Sequence, residues 1–213
     1  MNKYFKNFTP PVQYDRYSEM IDLVKSSMEK FKVGAYNNAL TDVNKACVLD
    51  TNCFEAHYQK SLCCSALKDY KTAYDEINIT LKLNPECIPA LMERGNLHQI
   101  FKDDMSALLD YTKVIELDSE FYDAYYNRGF IYLANENYES AINDFEAVVK
   151  GRPYDADAYN NLGLSYYQKG EVTKGITFLH KSAELDPNSD AVKNLEAISS
   201  ILTQQKKEKS EGK

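Results

Sequence analysis

The sequence predicts an all-α protein, a solenoid of helix-turn-helix repeats. Three observations carry that fold class. Residue types recur every 34 positions along most of the chain, a spacing that marks stacked two-helix repeats. Within the half-repeats, apolar residues fall three or four apart, as in Leu23, Val24, Met28 and Phe31, the period of a helix with one buried face. Stop and turn residues (Gly34, Asn84-Pro85, Pro153, Pro187) recur at the ends of those stretches, because Gly reaches positive φ freely and Pro cannot continue a helix.

The clearest copy of the repeat is Ala124, Tyr125, Gly129, Tyr132, Tyr138, Ala141, Phe145 and Pro153. One period later stand Ala158, Tyr159, Gly163, Tyr166 and Pro187; one earlier, Ala90, Leu91, Gly95, His98, Ala107 and Tyr111. Two periods back are Ala56, His57, Ser61, Cys64, Tyr70, Ala73 and Pro85, and three back Gly34, Tyr36, Ala39, Val43 and Ala46 keep the phase. This pattern resembles the tetratricopeptide repeat family, in which a large residue, Gly and Tyr in one helix precede Ala, an aromatic and Ala in the next, then Pro. The resemblance covers about Met20 to Ser189 and implies a right-handed α-solenoid that binds other proteins without catalysing a reaction.

Taken in order, residues 1–19 read as an extended arm, since Pro10-Pro11 bars a helix across them and Tyr4, Phe5, Phe8, Tyr14 and Tyr17 suit contact with the first repeat. The five repeats are expected at 20–53, 54–87, 88–121, 122–155 and 156–189. Gly34 opens the first turn, Leu67-Lys68-Asp69 the second. Gly129 and Gly163 mark close helix crossings, with Ala141 facing the first; Gly175 in place of that Ala costs roughly 1 kcal/mol of helix propensity and predicts a repeat that frays more easily. Asn188-Ser189-Asp190 offers an N-cap. The face Ala191, Val192, Leu195, Ile198, Ile201 and Leu202 then predicts a capping helix at 190–204 that closes the apolar end of the array. The charged stretch 205–213 reads as a disordered tail.

Composition narrows the function. The net charge of −7 disfavours nucleic acid, whose nonspecific affinity rests on Lys and Arg neutralising phosphates, and favours a neutral or basic ligand. No apolar run approaches the ~18 residues of a membrane span, and the first residues lack the apolar core of a secretory signal. Five cysteines, an odd number, with Cys47, Cys63 and Cys64 on apolar helix positions, fit a reducing compartment and a cytoplasmic protein. Cys53 and Cys87 end successive repeats, as a disulfide or as two free thiols.

The family resemblance implies that fixed positions of each first helix line a concave groove. Here these include Tyr58, Gln59 and Leu62; Met92, Glu93 and Asn96; Tyr126, Asn127 and Phe130; and Asn160, Asn161, Leu164 and Tyr167. Asn127 and Asn161 stand one period apart, with Gln59 and Glu93 behind them. Amides both donate and accept, so such a row can pair with a peptide backbone without reading its sequence. The competing expectation is that Tyr58, Tyr126 and Phe130 only cover neighbouring helices while the Asn side chains are solvated. The two-carboxylate clamp with which some relatives grip chaperone tails is not expected. Its best register gives Met92, Asn96, Asn127, Asp157 and Asn161, which lacks every cation. The alternative to a peptide-binding adaptor is a scaffold subunit of a stable complex or homo-oligomer, using the convex face or the N-terminal arm.

No metal or cofactor site is expected. His57 and His98 occupy packed repeat positions, His180 an outward one, and no paired Cys or His spacing accompanies them. There is no Gly-rich phosphate loop, and no nucleophile is set beside a base. An enzyme is not predicted.

Overall fold

The structure, a computed structural model, describes residues 12–211 and is helical throughout, with short loops. Among the described residues there are eleven helices and no strand. They are α1 (Val12–Lys32), α2 (Tyr36–Leu49), α3 (Phe54–Ala66), α4 (Tyr70–Leu83), α5 (Ile88–Ile100), α6 (Asp104–Leu117), α7 (Tyr122–Ala134), α8 (Tyr138–Gly151), α9 (Ala156–Gln168), α10 (Val172–Leu185) and α11 (Asp190–Glu211). No described helix is long and apolar enough to cross a membrane. The helices fall into two compact units, α1 to α5 up to Asp103 and α6 to α11 from Asp104.

In the first unit α1 packs on α2, α2 on α3, α3 on α4 and α4 on α5. Its core at the α1 end gathers Met20, Val24, Val43, Ala46, Cys53 and Ala56. At the α1–α2 and α3–α4 crossings stand Ser27 and Ser61, fully buried, whose hydroxyls donate to the carbonyls of Ala39 and Ala73, each at 2.9 Å. A small residue lets the helices approach, and the hydrogen bond satisfies the hydroxyl that burial would otherwise strand.

In the second unit each helix from α6 to α11 packs on the next. Glycine replaces serine at the crossings. A Cβ on Gly129 would lie 3.1 Å from the Asp144 Cβ. One on Gly163 would lie 2.9 Å from the carbonyl oxygen of Gly175, and one on Gly175 2.8 Å from that of Gly163. Gly175 is therefore a packing requirement in a pair of helices whose backbones meet, whatever it costs in helix propensity.

The turns inside the repeats repeat as faithfully as the helices. Gly34, Lys68, Lys102, Glu136 and Gly170, each 34 apart, all have positive φ, between 60° and 94°. Just beyond each, a backbone N–H reaches five residues back, as from Glu171 to Tyr166 at 2.9 Å and from Asp103 to His98 at 2.8 Å. This is the left-handed C-terminal cap that satisfies otherwise orphaned carbonyls. The second helices then start on side-chain caps at Asp69 and Asn137.

Two boundaries differ from expectation. Residues 12–19, assigned to an extended arm, form the first turns of α1; a proline just ahead of a helix is compatible with it, because the first-turn N–H groups have no intrahelical partner to lose. The rest of the arm, 1–11, lies outside the described residues. At the other end α11 runs on through Glu211, because the Gln, Lys and Glu of the expected tail are good helix formers and Gln204 bonds to Glu208 one turn on at 3.1 Å.

Candidate functional site

The residues expected to meet a ligand lie on α3 and α5 of the first unit and on α7 and α9 of the second, and they divide into those built into the packing and those that remain presented. In the first unit Tyr58, Leu62 and Ser65 follow one stripe of α3, and Met92, Glu93 and Asn96 lie on α5; all six are partly buried. Gln59 departs from expectation. It is buried, with its amide nitrogen 3.7 Å from the Cys63 sulfur, so it is removed from any row of amides offered to a ligand.

Glu93 has a distinct environment. Its Oε1 accepts a short hydrogen bond from Ser65 Oγ, and burial pushes its carboxyl above the usual range, with the Ser65 bond working the other way. The Tyr58 hydroxyl is pushed up to about 12, first by burial and then by the charge of Glu93, which places the two groups in one electrostatic neighbourhood.

In the second unit Tyr126, Asn127 and Phe130 lie on α7, and Asn160, Asn161, Leu164 and Tyr167 on α9. Asn161 is buried; its amide donates to the Tyr126 hydroxyl at 2.9 Å, while its Oδ1 accepts from the Asn160 amide at 3.3 Å. Asn160 in turn accepts from Asn194 of α11 at 2.8 Å. Four polar groups thus form a directed chain from α11 through α9 to α7, ending on Tyr126, whose O–H remains a donor. Tyr126 is steadied on its other side by an edge-to-face contact with buried Phe145, ring centres 5.8 Å apart. Burial raises its hydroxyl's pKa, with nearby Asp157 adding to the effect.

The expected free row of amides is consequently replaced by a network. Asn161 positions Tyr126 instead of standing in solvent, and Asn127 is partly buried on the same face of α7. Leu164 and Tyr167 pack against the cluster of Leu179, Ala191 and Ile198 at the cap, so part of their apolar surface is already used. Phe130 is the presented member, 52% exposed one turn beyond Tyr126.

Sequence reasoning missed Asn194, although its place one period after Asn160 was available as a signal. It also missed the ion pairs between paired helices. Arg128 makes two bonds to Asp144, at 2.8 and 2.7 Å, and a third to Thr112. Lys60 and His57 both reach Glu76, at 2.7 and 2.6 Å. Lys30 and Ser26 hold Asp42 and lower its carboxyl's pKa. The acids recur every 34 residues, buried at the helix crossings, so they serve the fold. His57 and His98 are buried as expected and His180 is exposed. Cys53 and Cys87 are free thiols. Among the described residues no group of three His, Cys, Asp or Glu side chains is placed to hold a metal ion.

Residues 126–190 match the tetratricopeptide repeat family. No curated protein matches the sequence. Among solved structures the chain is similar to YrrB, described as a tetratricopeptide repeat protein with an unusual peptide-binding site, at 21% identity and a TM-score of 0.74 over 86% of this chain and 95% of that one. It is also similar to MamA from Desulfovibrio magneticus, at 23% identity and a TM-score of 0.73 over 81% and 97%, and to a further MamA structure at 20% identity and a TM-score of 0.72 over 79% and 92%. The family match over residues 126–190 and the shared fold agree with the helices and turns described above: that stretch matches tetratricopeptide repeats, and the chain has the all-α solenoid fold of those structures.

Proposed function

We propose that this protein is a non-enzymatic adaptor that holds a segment of another protein against the first-helix faces of its repeats. The observation that carries the reading is Phe130, a large ring left exposed beside a tyrosine that the network from Asn161 holds in place. A fixed polar donor next to an exposed apolar ring suits a peptide, the one for a backbone carbonyl and the other for an apolar side chain. The peptide-binding description of YrrB, a structure of the same fold, points the same way. The net charge of −7 favours a neutral or basic ligand over nucleic acid, and five unbridged cysteines fit a cytoplasmic setting.

A random-peptide display library selected on the whole protein tests this. Peptides that bind the wild type are expected to bind Phe130→Ala about tenfold or more weakly, the loss of an apolar anchor, while thermal stability is unchanged because the ring is exposed. Equal binding to both proteins would reject the site. This variant is preferable to truncating Tyr126 or Asn161, whose packing and hydrogen bonds would confuse lost binding with lost structure.

One observation favours the alternative of a scaffold subunit. Met105 and Leu109 on the outward face of α6 are 73% and 70% exposed, where the other second helices carry polar residues such as Lys71 and Asp75 or Glu139 and Asn143. If that face makes a stable contact between copies, light scattering will show an oligomer that Leu109→Glu dissociates.

A further inference from the structure

The paired acids of this chain set Glu93 apart. Asp42 has Lys30, Glu76 has Lys60 and His57, and Asp144 has Arg128, so these acids at the helix crossings each carry a cationic partner. Glu93 has only the neutral hydroxyl of Ser65. It is also not at a helix crossing. It occupies α5 at the position that Asn127 and Asn161 hold on α7 and α9, on the face assigned above to the ligand. A partly buried carboxylate without a countercharge is a cost to the folded protein, and here the cost falls where no packing role accounts for it.

We propose that Glu93, oriented by Ser65, is the seat for one cationic side chain, a lysine or arginine of the bound protein segment. This inference rests on the peptide-binding reading and specifies which peptides it admits. The Ser65 hydroxyl occupies one carboxylate oxygen and leaves the other to accept from an ammonium or guanidinium. A charge-assisted bond made in a partly desolvated place is stronger than one in open solvent, so a single cation there fixes the register of the segment. The same arrangement disfavours an acidic residue, which would meet the like charge of Glu93.

The test is the same random-peptide display library, selected in parallel on the wild type and on Glu93→Gln. The glutamine keeps the shape and can still accept the Ser65 bond, so it removes only the charge. Wild type is expected to enrich Lys or Arg at one fixed position of the selected peptides, and Glu93→Gln to lose that preference. The best wild-type peptide is expected to bind the variant about tenfold more weakly. Thermal stability is expected to hold or rise in the variant, since the burial penalty on the charge is gone, and that separates lost recognition from lost structure. Selected peptides with no basic position, or with the same one on Glu93→Gln, would overturn the cation seat, while loss of affinity to Phe130→Ala among the library's other binders would leave the peptide-binding reading standing. Peptides indifferent to both substitutions would overturn the groove as well.

Discussion

In repeat four the guanidinium of Arg128 lies against the rings of Tyr125 and Tyr132, 5.7 and 6.0 Å from their centres, and bonds twice to buried Asp144. One period later the same pair of tyrosines, Tyr159 and Tyr166, stacks on Phe178, at 6.2 and 5.5 Å. Phe178 occupies the position of Asp144, and Leu162 that of Arg128. Both halves of the ion pair have been exchanged together for apolar residues, and Phe178 packs against the cluster that includes Leu162. The tyrosine frame accepts either a cation or a ring. What the frame does not accept is half of each solution, because a lone buried charge is costly while a matched apolar pair is not.

The largest effect should come from breaking that rule. Arg128→Leu leaves Asp144 buried without its partner, and denaturant unfolding is expected to show a loss of about 3–5 kcal/mol. Adding Asp144→Phe, which copies repeat five, should recover most of it. A double variant no more stable than the single one would show that the frames differ in more than these two residues.

The crossings of the same two repeats give the next contrast. Repeat four places Ala141 in the second helix and Gly129 in the first, and repeat five has Gly163 against Gly175. Gly175→Ala would press a methyl onto the backbone of Gly163 and Tyr167, so a loss of about 1–3 kcal/mol is expected despite the better helix propensity. Gly129→Ala, where the nearest atoms belong to side chains at 3.1 and 3.2 Å, should cost less.

The turns supply the smallest. Glu136 and Gly170 sit at equivalent positions with φ of 60° and 94°. Glu136→Gly is expected to raise stability by about 1 kcal/mol and Gly170→Ala to lower it by a similar amount, since a side chain makes the left-handed region less favourable. Thermal melts of the two variants check the opposite signs.

Much of this fold was legible in the sequence because the repeat writes each structural need five times. Gly34 and Pro187 marked turn and stop, and the 34-residue phase of the sequence recurs in the starts of α3, α5, α7 and α9. The chain ends were less legible, because only the repeats are copied: α1 begins ahead of the first repeat and α11 runs past the apolar face. The ligand face was legible as positions but not as chemistry. Gln59 and Asn161 carry amides suited to a peptide, yet both are buried and bonded to neighbours. Whether a polar side chain is presented or consumed depends on residues a helix or a repeat away, such as Tyr126 for Asn161, which local spacing does not reveal. The same long reach hid the pairing of Arg128 with Asp144.

The most direct test of the ligand face is a backbone-amide NMR titration of the whole protein with a peptide selected from the display library. The account predicts that the shifts concentrate on first-helix faces, on α7 and α9 around Phe130 and Asn161 in the second unit or on α3 and α5 around Ser65 and Glu93 in the first. Shifts confined instead to α6 around Met105 and Leu109 would contradict it and place recognition on the outer face.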